Sequence, residues 1–318
     1  MMVRDRDKRI LVKANKLDKM KIVVYVLGGV VAILALVSLI LLIDGIHEEQ
    51  GYILLKLSII AAIVLVFVGD LIQNKSKNLK CIYKKKCREE LVPSVLQSIF
   101  DPVVYNPEGG FSSQYIVDMD LLGLPAFPSG GVDKHISSWN YVYAKYKEVL
   151  FKCADIKIYA SSKNKILFYG RIMELHYPSY DSAKLKIYSR NFYDVKNELF
   201  PHKSGKIQIT GVKFFDNEFK MRCDNEEQFK TIMTSEMMEK LELFHNLYNQ
   251  FAIEFYNDKL YVALDMSSWK SDPDTYMRRE SFEPDYSKDA DYQCQIKKIK
   301  KDTKFITDTI DIFCRDLR

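Results

Sequence analysis

From Ile22 to Ile43 the chain runs for twenty-two residues without a charged side chain, IVVYVLGGVVAILALVSLILLI. A helix of that length, at about 1.5 Å per residue, reaches roughly 33 Å and can cross a hydrocarbon core of about 30 Å. The run is too long for the apolar region of a signal peptide, and no small-x-small cleavage pattern follows before Asp44. A second apolar stretch, Ile53 to Ile72, comes almost at once. It carries Lys56 near one end and Asp70 near the other, around a charge-free centre from Leu57 to Gly69. Fourteen residues apart, these charges lie about 21 Å from each other along a helix and cannot pair within one chain. Snorkelling of both to the interfaces suits them better than an ion pathway.

The basic residues set an orientation. Residues 1–21 hold eight Lys and Arg, the connection from Asp44 to Tyr52 holds none, and residues 73–88 hold seven. This asymmetry predicts a multi-pass protein of the cell membrane, with both termini cytosolic and the short loop outside. The lipid bilayer is then a partner, and the two basic flanks attract anionic head groups.

Beyond the second span, helical patterning continues through a basic juxtamembrane stalk, residues 73–100. Pro93 suits the first turn of its last helix, with Val95, Leu96 and Ile99 as the apolar face. Turn-rich segments follow at Asp101–Gly110 (DPVVYNPEGG) and Pro125–Gly131 (PAFPSGG). The period then changes to two. Glu148–Ala160 and Lys165–Tyr177 predict a long antiparallel hairpin, and Ala183–Ser189 a further strand. Lys206–Phe215 reads as a strand broken at Gly211, and Phe219–Cys223 as a short, edge-like one. Asp224 with Glu227 forms a capping-box pattern before a short helix with Phe229, Ile232 and Met233 inward. Thr234 or Ser235 caps the next helix, whose inward face is Met237, Leu241, Phe244 and Tyr248. Phe251–Tyr256 and Leu260–Leu264 flank the turn pair Asn257-Asp258. Trp269–Asp291 is polar and acidic and reads as a loop. The last helix places Tyr292, Ile296, Ile299, Thr303, Ile306, Ile310, Phe313 and Leu317 on one seam. Two readings of it stand: docking onto the chain's own sheet, or a coiled coil that would make a homo-oligomer.

The predicted fold class is therefore α+β: an N-terminal transmembrane helical hairpin followed by a β-rich antiparallel cytosolic domain with a long C-terminal helix. Its divisions are a basic cytosolic N-terminus (1–21), the hairpin (22–72, with spans 22–43 and 53–72), the stalk (73–100) and the cytosolic domain (101–318).

Charge narrows the partners. The net charge is +5, yet residues 1–88 hold 16 Lys and Arg against 7 Asp and Glu, while residues 89–318 hold 31 against 35. The soluble part is slightly acidic, which argues against nucleic acid as a partner. Six cysteines (Cys81, Cys87, Cys153, Cys223, Cys294, Cys314) form no CxxC and match neither a zinc site nor a disulfide framework. They read as free thiols in a reducing compartment.

Candidate chemistry is sparse. His47, His135, His176, His202 and His245 are isolated, outside any HExxH or i, i+4 pairing. Ser204-Gly205-Lys206 lacks the preceding glycine and the following Ser or Thr of a phosphate loop. Gly109-Gly110 and Gly130-Gly131 read as turns. Asp272, Asp274, Glu280, Glu283, Asp285, Asp289 and Asp291 read as a solvated acidic loop without the spacing of a calcium site. No catalytic, cofactor-binding or metal-binding residue is assigned, and no cofactor is expected.

Several short motifs occur in a recognisable order: Tyr105-Asn106-Pro107 with Gly109-Gly110 after a basic helix, Tyr141-Val142-Tyr143 to Phe151, ADIKIYA, Phe168-Tyr169-Gly170-Arg171, VKFFDNEFKMRC, TSEMMEKL and FAIEFYNDKLYVAL. In this order the chain resembles a bacterial family catalogued as domain of unknown function 3137. The resemblance covers the basic flank after the second span and nearly all of the soluble part. It departs at Trp139-Asn140, where the family often has Gly-Asp, and at Tyr169-Gly170, where Lys-Gly is common. The resemblance implies a two-helix membrane protein with a cytosolic α+β domain and carries no functional residues. It also implies, through gene neighbourhood, a membrane partner of the LemA type. The function expected is that of a membrane-anchored binding or scaffold protein at the inner face of the membrane. The alternatives are a ligand-sensing effector whose β-rich domain controls the hairpin, and an enzyme without a legible signature.

Overall fold

The computed structural model describes residues 2–43, 48–124, 135–159, 166–177, 184–195, 205–266, 282, 284 and 292–315. The chain divides into two units: Met1–Glu89 with Pro284–Ile296, and Glu90–Glu283 with Lys297–Arg318.

In the first unit two helices, α1 (Met2–Ile43) and α2 (Glu48–Lys86), run antiparallel. Both extend well past the apolar spans. The basic segment 1–21, read as a separate region, is wound into α1, because Lys and Arg are good helix formers and neither Gly nor Pro interrupts it before Gly28. Side chains along the apolar spans stand largely in the open: Ile22 and Val26 are 62% exposed, Ile33 and Phe67 65%. The contacts between the helices are small or polar. Gly69 lets Tyr25 approach, since a Cβ there would lie 3.2 Å from its ring. Nearer the basic ends, Ser76 Oγ donates to Ala14 O (3.2 Å) and to Asp18 Oδ1 (2.6 Å), and Lys80 Nζ pairs with Asp18 Oδ2 at 2.5 Å.

After α2 come a π-turn (Cys87–Leu91) and α3 (Val92–Gln97), with Pro93 in its first turn as its position predicts. The second unit is built on an antiparallel sheet. Its described strands are β1 (Val103–Asn106), β2 (Ile136–Tyr146), β3 (Val149–Tyr159), β4 (Ile166–His176), β5 (Leu185–Ser189), β6 (Lys206–Gln208), β7 (Phe219–Cys223), β8 (Phe251–Tyr256) and β9 (Lys259–Asp265). They lie in the order β1-β2-β3-β4-β9-β8-β5-β7-β6. The short helices are α4 (Ser113–Met119), α5 (Arg190–Val195), α6 (Lys213–Glu218), α7 (Glu226–Ile232) and α8 (Ser235–Leu247); α9 (Tyr292–Phe313) closes the chain.

The β3/β4 hairpin, β5 and the β8/β9 hairpin stand where the periodicity places them. Asn257 and Asp258 both take positive φ, as a tight hairpin turn demands. Four expectations change. Strands β1 and β2 were not anticipated: β2 carries a bulge between Trp139 and Val142, with Asn140 left-handed, so its period-two pattern slips midway. Its turn into β3, Lys147-Glu148, also takes positive φ without a glycine or asparagine to signal it. Residues Lys206–Phe215 are not one strand, because the chain leaves β6 after Gln208 and coils into α6. Strand β7 is internal, paired with both β5 and β6, so β6 is the edge. Helix α7 is capped by Asn225 rather than Asp224, its Oδ1 accepting from the N–H groups of Glu227 and Gln228.

Side chains alternate across the sheet, and both faces are covered. On one, Phe244 of α8 packs on Phe251 of β8 (4.9 Å) and Phe313 of α9 (5.3 Å), and Tyr248 on Phe305 (5.6 Å). On the other, Ile156, Phe168, Ile172, Ala252 and Ala263 form a core with Ile116 and Met119 of α4 and Phe192 of α5. The seam of α9 from Ile299 through Thr303, Ile306 and Ile310 to Phe313 is buried. Intramolecular docking is thus the reading this helix realises, and a coiled coil through the same seam would first have to undock it. The acidic stretch 269–291 lies outside the described residues except Phe282 and Pro284.

Candidate functional site

Three of the motifs, those holding Tyr105, Asp155 and Arg171, meet at one place. Asp155 of β3 and Arg171 of β4 are cross-strand partners, and their side chains pair at 2.9 Å, Nε to Oδ1. The Asn140 amide, delivered by the β2 bulge, donates to Asp155 Oδ2 at 2.8 Å, and Tyr105 Oη donates to Asn140 Oδ1 at 3.0 Å. Arg171 also donates through Nη1 to the Asp302 carbonyl of α9 (2.6 Å) and lies over the Phe282 ring at 5.0 Å. Phe282 N donates to Asp302 Oδ2 (2.9 Å), which Lys298 pairs with at 3.1 Å. Asp155 and Asn140 are each 1% exposed, Arg171 3%. Burial by itself would lower the Arg171 pKa, but the Asp155 charge outweighs it and holds it above the ordinary value.

The local sequence explains the geometry. Asn106 Oδ1 accepts from the N–H groups of Glu108 and Gly109, an Asx turn that returns the chain toward the bulge. A Cβ on Gly110 would lie 2.3 Å from Ser138 Oγ, and one on Gly170 1.9 Å from the Leu264 carbonyl oxygen of β9. Glycine beside Arg171 is therefore what lets β9 close on β4. Most of this cluster's hydrogen-bonding capacity is used internally, although Arg171 Nη2 has no partner among the described residues. Chemically it is a strut that ties four strands, β1 to β4, to α9.

The opposite face carries a second ionic system. One lateral row crosses all nine strands: Val104, Tyr143, Lys152, Glu174, Tyr261, Glu254, Lys186, Arg222 and Ile207. Asp120, left-handed at the end of α4, accepts from Lys186 at 2.6 Å and Lys184 at 3.0 Å, and its carbonyl oxygen accepts from Lys186 at 2.6 Å. Burial would raise the Asp120 pKa, yet the two lysines bring it below the ordinary carboxylate value. Glu254 is fully buried, 3.6 Å from Lys184, with neither carboxylate oxygen hydrogen-bonded among the described residues. Burial pushes its carboxyl up to about 7, against the pull of Lys186 and Lys184. Glu174 accepts from Tyr115 of α4 and pairs with Lys152 (3.3 Å) and Lys259 (3.2 Å). Beside it a cavity of about 190 Å³ is lined by Tyr143, Lys152, His176 and Lys259 among others.

Sequence reasoning assigned none of these residues, since each charge sits singly in an apolar strand. An isolated Asp, Glu, Lys or Arg amid FAIEFY, LKIYS or ADIKIY was the available signal. The residues it did consider stay apart. His135 is buried, His176 ends β4, and His245 lies on Phe219; His47, His202, Ser204, Gly130-Gly131 and the acidic loop fall outside the described residues. Among the described residues no group of three or more His, Cys, Asp or Glu is placed to hold a metal. No disulfide joins the cysteines, and burial raises the Cys153 and Cys314 thiols to about 12. Lys56, exposed, lies over the Tyr52 ring one turn back at 4.3 Å.

Residues 166–314 match a family model described as Protein of unknown function (DUF3137). The match starts at the first residue of β4, ends one residue past α9 and falls mostly within the second unit. It does not take in α1, α2 or strands β1 to β3. No curated protein matches the chain. The crystal structure of the mycobacterial trehalose monomycolate transport factor A, TtfA, is similar at 10% identity over 70% of this chain and 93% of that one, with a TM-score of 0.32, too low to carry an inference.

Proposed function

We propose that the protein is a membrane-anchored, non-catalytic binding or scaffold protein at the inner face of the cell membrane. In this reading α1 and α2 cross the bilayer through residues 22–43 and 53–72, and both termini and the sheet domain are cytosolic. The observation that carries it is the open apolar surface of the two helices. Two dozen large apolar side chains between Ile22 and Leu71 are exposed, far beyond the patch of about a few hundred Å² that a soluble surface carries. Their basic flanks supply the charge asymmetry that sets direction, and Lys56 leans back along Tyr52 as a snorkelling lysine would. The test is extraction with alkaline carbonate, which should leave the full chain in the membrane pellet, and external protease on intact cells, which should spare the sheet domain. Release into the wash, or digestion of the domain from outside, overturns it.

A binding rather than catalytic role is supported by the two ionic systems, whose charged groups are mostly spent on each other. The sensing alternative needs a pocket; among the described residues the cavity beside Glu174, about 190 Å³, is smaller than the roughly 300 to 1,000 Å³ of small-molecule sites. A LemA-type membrane protein is the partner that family resemblance suggests, and its co-purification from mild detergent would identify what is held.

A further inference from the structure

The edge of the sheet at β6 carries a feature that the fold does not use. Ile207 is 60% exposed, Ile209 73%, Val212 43% and Phe214 40%, all within eight residues of one another. Their loop is firmly built. The Asp216 carboxylate accepts from Thr210 N (2.8 Å), Thr210 Oγ1 (2.8 Å) and Gly211 N (3.1 Å), and Val212 N donates to Thr210 Oγ1 (3.1 Å). Gly211 takes φ +78°, with open space around it. Behind the loop, Phe215 is buried against Phe219 at 5.6 Å, while its neighbour Phe214 lies edge-on to both rings (5.1 and 6.4 Å) and remains partly exposed. A loop held by this many hydrogen bonds displays its apolar side chains by construction.

We infer that the Ile207–Phe214 loop is a second membrane-contact site, which inserts Ile209, Val212 and Phe214 into the interface of an anionic bilayer. Three features favour lipid over protein as the occupant. Four side chains are far too few for a stable protein interface, which takes roughly 20–30 residues a side. The apolar tip is rimmed by exposed Lys206 and Lys213, as in segments that pair insertion with attraction to anionic head groups. Of the acids next in sequence, Asp216 is engaged in the loop and Glu218 lies 3.5 Å from His245; exposed Asp224 follows Cys223, the cross-strand partner of Lys206. A contact this small would bind weakly alone. On a chain already held by α1 and α2 it gains from a high effective concentration, and in that respect it rests on the membrane reading proposed above.

The test uses the full chain with its two exposed thiols removed (Cys81→Ser, Cys294→Ser). A polarity-sensitive fluorophore is placed at Ile209→Cys, or at Glu239→Cys on the exposed face of α8 as control. The protein is reconstituted in nanodiscs of phosphatidylcholine alone or mixed with phosphatidylglycerol, each with a nitroxide-labelled lipid. Position 209 should be quenched at least about twofold more than position 239, and more in the anionic discs. Reversal of Lys206 and Lys213 to Glu should abolish the anionic preference. Equal quenching at the two positions overturns the inference. So does a shielded fluorophore at 209 that responds to protein density rather than to the nitroxide, which would make a second copy the occupant. Failure of the hairpin reading looks different: the chain would wash from vesicles in alkaline carbonate, while quenching at 209 by nitroxide vesicles could still be read on the peripheral protein.

Discussion

The helical hairpin and the sheet domain solve opposite problems with the same side chains. Along the apolar stretches of α1 and α2 most large apolar residues face outward, and among the described residues polar contacts join Ser76 and Lys80 to Asp18 and Tyr25 to Gln73. In the sheet domain most apolar residues face inward and take Asp155, Arg171, Glu174, Lys186 and Glu254 with them. The Asp18–Lys80 and Asp155–Arg171 pairs are both close, but the first is 41% and 33% exposed and the second 1% and 4%. Exposure decides what each pair contributes. A solvated pair gains little, whereas a buried pair commits the fold to keeping both partners.

That contrast is tested hardest at the buried pair. Arg171→Met leaves Asp155 charged and enclosed, and should destabilise the sheet domain by about 3–5 kcal/mol in a denaturant titration. Replacing both partners with apolar residues should recover much of the loss, and no recovery would mean that Asn140 and Asp302 depend on the charges too. Next comes Gly170→Ala, whose methyl would lie 1.9 Å from the Leu264 carbonyl oxygen. Parting β4 from β9 should cost about 1–3 kcal/mol, seen as faster amide exchange along both strands.

A pH-dependent effect of similar or smaller size is expected at Glu254. Its carboxyl is raised from 4.5 to about 7 in the folded chain, so the folded state holds the proton more tightly. The stability it contributes is complete below the unfolded value and is lost as pH rises through 7. Glu254→Gln, which cannot ionise, should flatten that decline and make the variant more stable than the parent at pH 8 by about 1–3 kcal/mol. A variant with the parent's full pH slope would assign the titration to another group. The smallest effect belongs to the hairpin: Lys80→Ala should change stability by less than about 1 kcal/mol, and less still in high salt.

Much of this was legible in the chain. The two long apolar helices, the β3/β4 and β8/β9 hairpins, a cap at Thr234 or Ser235 and the seam of α9 all appear as patterns in local sequence. The misses share a cause. At Trp139-Asn140 one extra residue in β2 shifts the alternation, so neither half of the strand is long enough to be read. Val103–Asn106 is too short to show a period at all. At Val212–Phe215 a β-like composition coils because Asp216 ties down the turn before it. The ionic systems were hidden for another reason. Asp155 and Arg171 are sixteen residues apart, and Tyr105 and Asp302 are far from both, so no spacing rule connects them.

The sequence by itself determined which two stretches form long apolar helices and where most helices and hairpins begin and turn. These are local quantities, set by side-chain period and by backbone preferences within a few residues. Tertiary structure decided which strands are neighbours, that α9 lies on its own sheet, and that Asp155, Phe282 and Asp302 close around one guanidinium. Those outcomes depend on contacts between residues remote in sequence, whose energies exist only once the chain has brought them together and excluded water from between them.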